Sequence, residues 1–388
     1  MKKRVITSLA IVGLVLAGCS TAEDHRSFSS KEKPPVHGKS KQNKEPSKAT
    51  YEEIYHEALA DLSEKKVDYK KILSLYTDNL QKLVQQRDED NETKVDEKIY
   101  ATLEAGGEGK MEQPIAKQVF DKLMQNVFYT TLQAAFQSME ENWSDAAKTQ
   151  KSLQEVQSIY TILKPTVQKR DAAYKTKLEH AVQSGFRQIE KGVKTRDEQA
   201  FLLGKQQVEI TLMKTFYYAS GALPNGYATQ AYKNAKTNPE AAKIKQAAGW
   251  GYFQSLFPYI NRYASSEASF IETQFNLEND AADLNTVDVN KAFVRSFLKI
   301  GLSKYKESEQ QWGEEQSPVT ALEGALFIDL VSRDLTAMLG TEAYKKLATD
   351  AQQYVQAAKK NDTKAGNLLM LRIKRTLNEA MDKTKLKH

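Results

Sequence analysis

The stretch 114–141, PIAKQVFDKLMQNVFYTTLQAAFQSMEE, has the spacing of one long helix. Its apolar residues recur at intervals of three and four, as they do along one face of an α-helix. Pro114 stands at its start, where a missing backbone N–H costs no hydrogen bond. The same periodicity runs from Tyr51 to the C-terminus, and no convincing strand-like alternation interrupts it. We therefore predict an all-α protein, a globular multi-helix bundle.

Glycines, prolines and charged runs divide this periodic region into helices. We place Pro165 at the entrance of a helix, and we expect Asp329 and Arg333 to form an ion pair four residues apart within one helix. The approximate helix bounds predicted in this way are 72–92, 95–105, 114–141, 145–163, 166–192, 197–219, 228–235, 240–262, 264–277, 286–303, 318–339, 342–359 and 363–383.

Two parts of the chain resemble later parts. Residues 145–164 match 280–299 at an offset of 135, and residues 194–212 match 359–377 at an offset of 165. These matches predict a duplicated helical unit with an insertion of about thirty residues in the second copy. Helical chains also align through periodicity alone, which is the alternative. The predicted organisation is an N-terminal helical segment at 51–110, unit 1 at 111–222 and unit 2 at 223–388.

The first twenty residues have a different character. Lys2, Lys3 and Arg4 precede an apolar run, which ends in Leu16-Ala17-Gly18-Cys19, and Cys19 is the only cysteine of the chain. This pattern resembles the lipobox of bacterial lipoproteins. The resemblance implies that 1–18 are a signal peptide and that Cys19 carries a diacylglycerol with fatty acyl chains such as palmitate. An ordinary secretory signal or an uncleaved anchor is the alternative.

The resemblance also implies a location and a partner. The chain would be held at the extracytoplasmic face of the cell membrane, with the membrane as its partner through the lipid. Residues 19–50 are polar and rich in Lys, Ser and Pro, which predicts a disordered tether. With one cysteine, no internal disulfide forms, so the folded part depends on burial alone.

The formal charge of +6 lies entirely in the first 50 residues, which hold ten basic and four acidic residues. Residues 51–388 are balanced, which argues against a nucleic-acid partner. The few histidines lack the spacing of a metal site, and no Gly-x-Ser-x-Gly elbow or phosphate-binding glycine loop occurs. We therefore expect a protein that is not an enzyme and has no cofactor beyond the lipid on Cys19.

Two concentrations of residues are candidate sites. Aromatic residues gather around the junction of the two proposed units, and they predict either a ligand or partner surface or a core between the units: Tyr217, Tyr218, Tyr227, Trp250, Tyr252 and Tyr259. No basic residue occurs between Arg262 and Lys291, and four acidic residues of this stretch form a candidate cation site: Glu272, Glu278, Asp280 and Asp283. The alternative is a solvated loop whose acidic residues cap a helix.

These features favour a lipid-anchored extracytoplasmic protein with a binding or scaffolding role at the cell surface, through a protein or cell-envelope partner. A cation-binding accessory lipoprotein of a transport system is the second hypothesis. A carboxylate-based enzyme is the third, since paired carboxylates leave no local sequence signature.

Overall fold

The computed structural model describes residues 48–386, which form seventeen α-helices, one 3₁₀ turn at Ala281–Asp283 and no strand. The prediction of an all-α multi-helix fold is thereby confirmed. The signal peptide, Cys19 and most of the proposed tether lie outside the described residues. The first nine helices are α1 (Lys48–Asp61), α2 (Tyr69–Asn79), α3 (Gln81–Asn91), α4 (Val95–Gly107), α5 (Gln113–Glu141), α6 (Ala146–Tyr174), α7 (Leu178–Thr195), α8 (Glu198–Ser220) and α9 (Tyr227–Ala235). The others are α10 (Pro239–Gln254), α11 (Phe257–Tyr263), α12 (Ser265–Phe275), α13 (Thr286–Gln310), α14 (Ser317–Leu330), α15 (Ser332–Leu339), α16 (Thr341–Lys360) and α17 (Thr363–Lys383).

Helices α5 and α8 run through the interior of this bundle. Both bury residues on nearly every side rather than on one stripe, which is the pattern of a helix surrounded by others. Helix α5 packs against α6, α4 and α10, whereas α8 packs against α7, α10 and α14. A single core of buried apolar residues extends from Tyr55 to Ala380. The helices of all three predicted segments therefore contribute to the same core.

Helices α7 and α8 pack directly against each other, and glycine permits their close approach. A Cβ atom on Gly204 would lie 2.8 Å from the carbonyl oxygen of Gly185 and 2.9 Å from the backbone nitrogen of Ile189. Neither backbone atom can turn away as a side chain would. The two helices can therefore lie at this distance only because no side chain separates them.

The prediction of a helix boundary at Pro165 is wrong. Helix α6 continues through Pro165 from Ala146 to Tyr174. Proline removes one backbone hydrogen bond of a helix interior. Its neighbours Leu163, Thr166 and Val167 are buried, however, and α6 lies along α5, so packing holds the two halves of α6 in line.

Three of the predicted helices are divided in the structure. Leu80 separates α2 from α3, and there Asn79 donates its side-chain N–H to the carbonyl of Leu75. Residues 255–256 separate α10 from α11, which has Pro258 in its first turn. Val331 separates α14 from α15. Local side-chain hydrogen bonds and a proline without a donor both compete with helix continuation.

The expected pair of Asp329 and Arg333 is also replaced by other contacts. Asp329 forms an ion pair with Lys214 of α8, at 2.8 Å, and Arg333 donates to the carbonyl oxygen of Tyr174. Because the break at Val331 falls between Asp329 and Arg333, the two residues belong to different helices. Both side chains therefore bind other elements of the bundle.

One of the two sequence matches corresponds to similar local structure. At the offset of 165, Arg196 and Asn361 both have left-handed backbone conformations, and Asp197 and Asp362 then cap the next helix through the N–H of Ala200 and of Ala365. At the offset of 135, α6 is matched by the 3₁₀ turn followed by α13. The duplication stays a prediction.

None of the helices between residues 48 and 386 combines the length and the apolar character that crossing a membrane requires.

Candidate functional site

A polar crevice of about 280 Å³ lies where α3, α5, α8 and α11 meet. This volume is just below the range for small-molecule sites, roughly 300–1,000 Å³. The crevice has three walls, which are the link from α3 to α4, residues 126–133 of α5, and the corner between α10 and α11. The principal side chains that line it are Arg87, Asp90, Glu92, Asn126, Tyr129, Gln133, Met213, Ser255, Tyr259 and Arg262.

The wall between α3 and α4 is held by Asp88. Its Oδ1 accepts hydrogen bonds from the hydroxyl of Thr93 at 2.5 Å and from the N–H of Val95 at 2.8 Å, and its Oδ2 accepts from the N–H of Asp96 at 2.8 Å. Glu92 ends α3 in the left-handed conformation, with φ 53°. One carboxylate therefore satisfies the first free N–H groups of α4 and fixes the corner.

Two buried polar groups at the crevice lack part of their hydrogen bonding. Arg87 is 8% exposed; its Nη2 contacts Asp90 at 2.9 Å, but its Nε has no hydrogen-bond partner among residues 51–386. The hydroxyl of Ser255, a residue that is 7% exposed, also has none. Such an unpaired buried donor costs about 1–3 kcal/mol. Both residues line the crevice, so a hydrogen-bonding molecule there is the candidate partner for these two groups.

Two tyrosines add neutral polar and aromatic surface. Gln133 donates to the hydroxyl of Tyr129 at 3.2 Å, and the ring of Tyr259 stacks on Phe327 at 5.8 Å. Burial raises the pKa of both phenols well above the ordinary value. Both hydroxyls are therefore protonated at neutral pH.

The charges around the crevice have both signs. Arg87 and the exposed Arg262 are cationic, whereas Asp90 and Glu92 are anionic and belong to the α3 end of the wall. A ligand with an anionic and a cationic group would meet a complementary charge for each.

An ionisable carboxyl lies on α8, one turn before Met213. The pKa of Glu209 is raised to about 7, mainly by burial; Lys205 opposes this change, and the nearby carboxylates of Glu323 and Glu140 add to it. Lys205 forms its ion pair with Glu140. Glu209 therefore changes its charge near neutral pH.

Four of the six aromatic residues that were candidates for a ligand or partner surface are buried. For these four the surface prediction is wrong, and the alternative prediction, a core, applies. Tyr217 donates to Asp334 at 2.9 Å and accepts from Asn290 at 2.7 Å. The exposed fractions of Tyr217, Tyr218, Tyr227 and Tyr252 are 0%, 1%, 5% and 3%. Tyr217 and Tyr218 belong to the interior helix α8, Tyr252 to α10 and Tyr227 to the start of α9.

The other two aromatic residues lie at concave surface. Tyr259 lines the crevice described above. Trp250 lines a separate shallow groove with Glu272 and Glu278, and its indole N–H donates to Glu272 at 3.3 Å. The structure thus brings one residue of the aromatic set next to one residue of the acidic set.

The acidic residues do not form a metal cage. Gln254 also donates to Glu272, Asp280 accepts from the N–H of Ala282 at the start of the 3₁₀ turn, and Glu278 and Asp283 are exposed. Among residues 48–386, no group of three or more His, Cys, Asp or Glu side chains is arranged to hold a metal ion. The described structure offers no cation site at this window.

Arg87 and Ser255 are not among the site residues predicted from the sequence, although the chain carries a signal for the first. The sequence Arg87-Asp88 followed by Thr93-Lys94 recurs as Arg170-Asp171 followed by Thr176-Lys177. Asp171 repeats the capping, with Oδ1 accepting from Thr176 and Leu178 and Oδ2 from Glu179. Each aspartate is preceded by a buried arginine.

No protein-family model matches this chain, and comparison with curated proteins and with solved structures finds no match to either.

Proposed function

We propose that this chain is a lipid-anchored binding protein of the extracytoplasmic membrane face, and that it binds a small zwitterionic solute, such as a short peptide, in the crevice between α3 and α11. The observation that carries the ligand site is the pair of buried, unpartnered polar groups at the crevice, Arg87 Nε and Ser255 Oγ.

The anchor rests on the sequence. Cys19 follows Leu16-Ala17-Gly18 at the end of the apolar run, and the polar stretch after it leads to the folded body.

The ligand class follows from the lining. A carboxylate would accept from Arg87 and Arg262, an ammonium group would approach Asp90 and Glu92, and Tyr259 would pack against the apolar part. The volume of about 280 Å³ suits a molecule of dipeptide size.

The anchor is tested by detergent-phase partitioning of the chain after expression in a bacterium. The wild type is expected in the detergent phase, and Cys19→Ser in the aqueous phase, because the thiol is the acceptor of the lipid. Partitioning of Cys19→Ser with detergent would contradict lipid anchoring.

The ligand site is tested by calorimetric titration with the dipeptide Ala-Ala. We expect binding of Ala-Ala and at least tenfold weaker binding of the N-acetylated, C-amidated form, which lacks both charges. Arg262→Gln should weaken binding, whereas Arg375→Gln, a change at an exposed position of α17, should not. Equal affinity for both dipeptides, or no binding of either, would refute the zwitterion proposal.

A further inference from the structure

A second cluster of charge, made of residues that do not line the crevice, lies around the phenol of Tyr227. Three helices supply its four cations: Lys122 from α5, Lys169 and Arg170 from α6, and Lys245 from α10. Tyr227 itself is the first residue of α9.

The rings and cations of this cluster are within contact distance of each other. Tyr227 stacks on Tyr252 with centroids 6.0 Å apart and planes at 9°. The guanidinium carbon of Arg170 lies 5.4 Å from the centroid of Tyr227, and the ammonium of Lys245 lies 5.5 Å from it. The ammonium of Lys122 lies 4.9 Å from the centroid of Tyr252. Arg170 and Lys245 therefore lie against the ring of Tyr227 and Lys122 against that of Tyr252, while Lys169 directly precedes Arg170 in α6.

The acidic groups do not balance these cations. Asp121 forms an ion pair with Lys122 at 2.5 Å, and it also accepts from Tyr55 and Gln125. No carboxylate lies within 4.0 Å of the charged nitrogens of Lys169, Arg170 or Lys245 in the described part of the chain. Four cations and the single carboxylate of Asp121 leave these five residues with a net charge of about three positive.

Arg170 shows the imbalance most clearly. It is 3% exposed, and its Nε and Nη1 are buried without a hydrogen-bond partner in residues 51–386. A buried guanidinium without an acceptor is costly, because burial removes the water that would otherwise satisfy its donors. An anion beside Tyr227 would supply the acceptor.

The N-terminus of α9 adds further positive electrostatic potential at Tyr227. Gly226 precedes α9 and offers no side-chain cap, so the first N–H groups of the helix lack an acceptor of that kind. The hydroxyl of Thr229, in the same first turn, is buried and unpartnered within the described chain. The positive end of a helix dipole favours an anion.

The positive charges of the cluster also change the pKa of the Tyr227 phenol. Burial would raise the pKa of Tyr227, but the charges of Lys122, Lys169, Arg170 and Lys245 together lower it below the ordinary value for tyrosine. The electrostatic potential at the hydroxyl is therefore positive enough to overcome the cost of burying a phenolate.

We propose that the cluster formed by Lys122, Lys169, Arg170, Lys245 and the start of α9 is a binding site for a phosphate-type oxyanion. Lys169 is exposed and Lys245 half-buried, so these two residues form its open side, and Arg170 forms its buried side. The anion is either inorganic phosphate or the phosphate group of a larger solute.

The test is a calorimetric titration of the full chain, in detergent, with inorganic phosphate and separately with glycerol 3-phosphate, at constant ionic strength in sodium chloride. We expect binding of at least one of them. Tighter binding of phosphate would identify the free ion as the ligand, and tighter binding of the ester would identify a phosphate carried on a larger solute. Absence of binding by both would overturn the proposal.

Two variants test whether the anion binds at this cluster. Lys169→Gln with Lys245→Gln changes only the open side of the site, and it should weaken binding at least tenfold, because two charge-assisted contacts are lost. Lys148→Gln, at the exposed start of the same helix α6, is the matched control and should bind as the wild type does. Unchanged affinity in the double variant would show that the anion binds elsewhere and would overturn the proposal.

Tyr227 supplies a spectroscopic readout that a purely structural role would not change. Phosphate bound beside the phenol should raise the pKa of Tyr227, which is measured as a shift of tyrosinate absorbance to higher pH. Tyr227→Phe identifies which part of the absorbance belongs to this residue. If saturating phosphate does not change the pKa of Tyr227, binding at this position is contradicted.

Discussion

Replacing Glu209 by glutamine should make the protein more stable at pH 8 but not at pH 4.5. The neighbours of this carboxyl are the reason. Burial, with Glu323 and Glu140 nearby, raises the pKa of Glu209 from 4.5 to about 7, although Lys205 opposes the change. The ionised form is therefore disfavoured in the folded chain.

The sign of the pH dependence follows from the two pKa values. Between pH 4.5 and 7 the folded state binds more protons at Glu209 than the unfolded state does. The free energy of unfolding therefore falls as pH rises through this window, and the contribution of the protonated group is lost above pH 7. Each unit between the two pKa values corresponds to about 1.4 kcal/mol, which sets an upper figure of about 3.5 kcal/mol.

The expected gain of Glu209→Gln at pH 8 is smaller, about 1–3 kcal/mol, because glutamine also loses the attraction of Lys205. Urea unfolding followed by circular dichroism at pH 8, 6 and 4.5 measures it. The gain should vanish at pH 4.5, and Glu315→Gln, at an exposed position between α13 and α14, should show no such trend. A gain at pH 8 no larger than that at pH 4.5 would refute the reasoning.

Two further pairs of variants test the core by thermal or urea unfolding. Tyr217→Phe should destabilise by about 1–3 kcal/mol, because buried Asp334 loses a donor, whereas Tyr305→Phe should be neutral or stabilising, because its buried hydroxyl has no partner in residues 51–386. Equal costs would contradict this assignment. Gly204→Ala should destabilise by about 1–3 kcal/mol through its backbone clash. Gly301→Ala, whose Cβ would meet nothing closer than 3.5 Å, should be stabilising by up to about 1 kcal/mol, and a loss there as large as at Gly204 would argue against the clash.

The helices that could be predicted well have long runs of regularly spaced apolar residues, with clear helix-breaking residues at both ends. Helix α5 was expected at 114–141 and occupies Gln113–Glu141, and α17 was expected at 363–383 and occupies those residues. The breaks at Leu80, near Leu256 and at Val331 were not predicted. The apolar periodicity continues through all three positions, because the residues on both sides belong to the same core.

The candidate site was predictable only in part. Tyr259 was named because aromatic residues are conspicuous in a sequence, and it does line the crevice. Arg87 stands in a charged run, which is typical of a solvated helix face, but α4 and α5 pack against α3 and bury it. Burial of one arginine is a property of the packing, and local sequence does not record it. The lack of a partner for Ser255 is likewise visible only in three dimensions.

The most direct test of the proposed binding role is a nitrogen-15 correlation spectrum of the chain, recorded as Ala-Ala is added. The account predicts that the backbone signals of Thr93, Tyr129 and Tyr259, which line the crevice from three different elements, shift together with one affinity. Signals that shift elsewhere while these three stay in place, or a spectrum that does not change, would contradict the claim that this crevice is the ligand site.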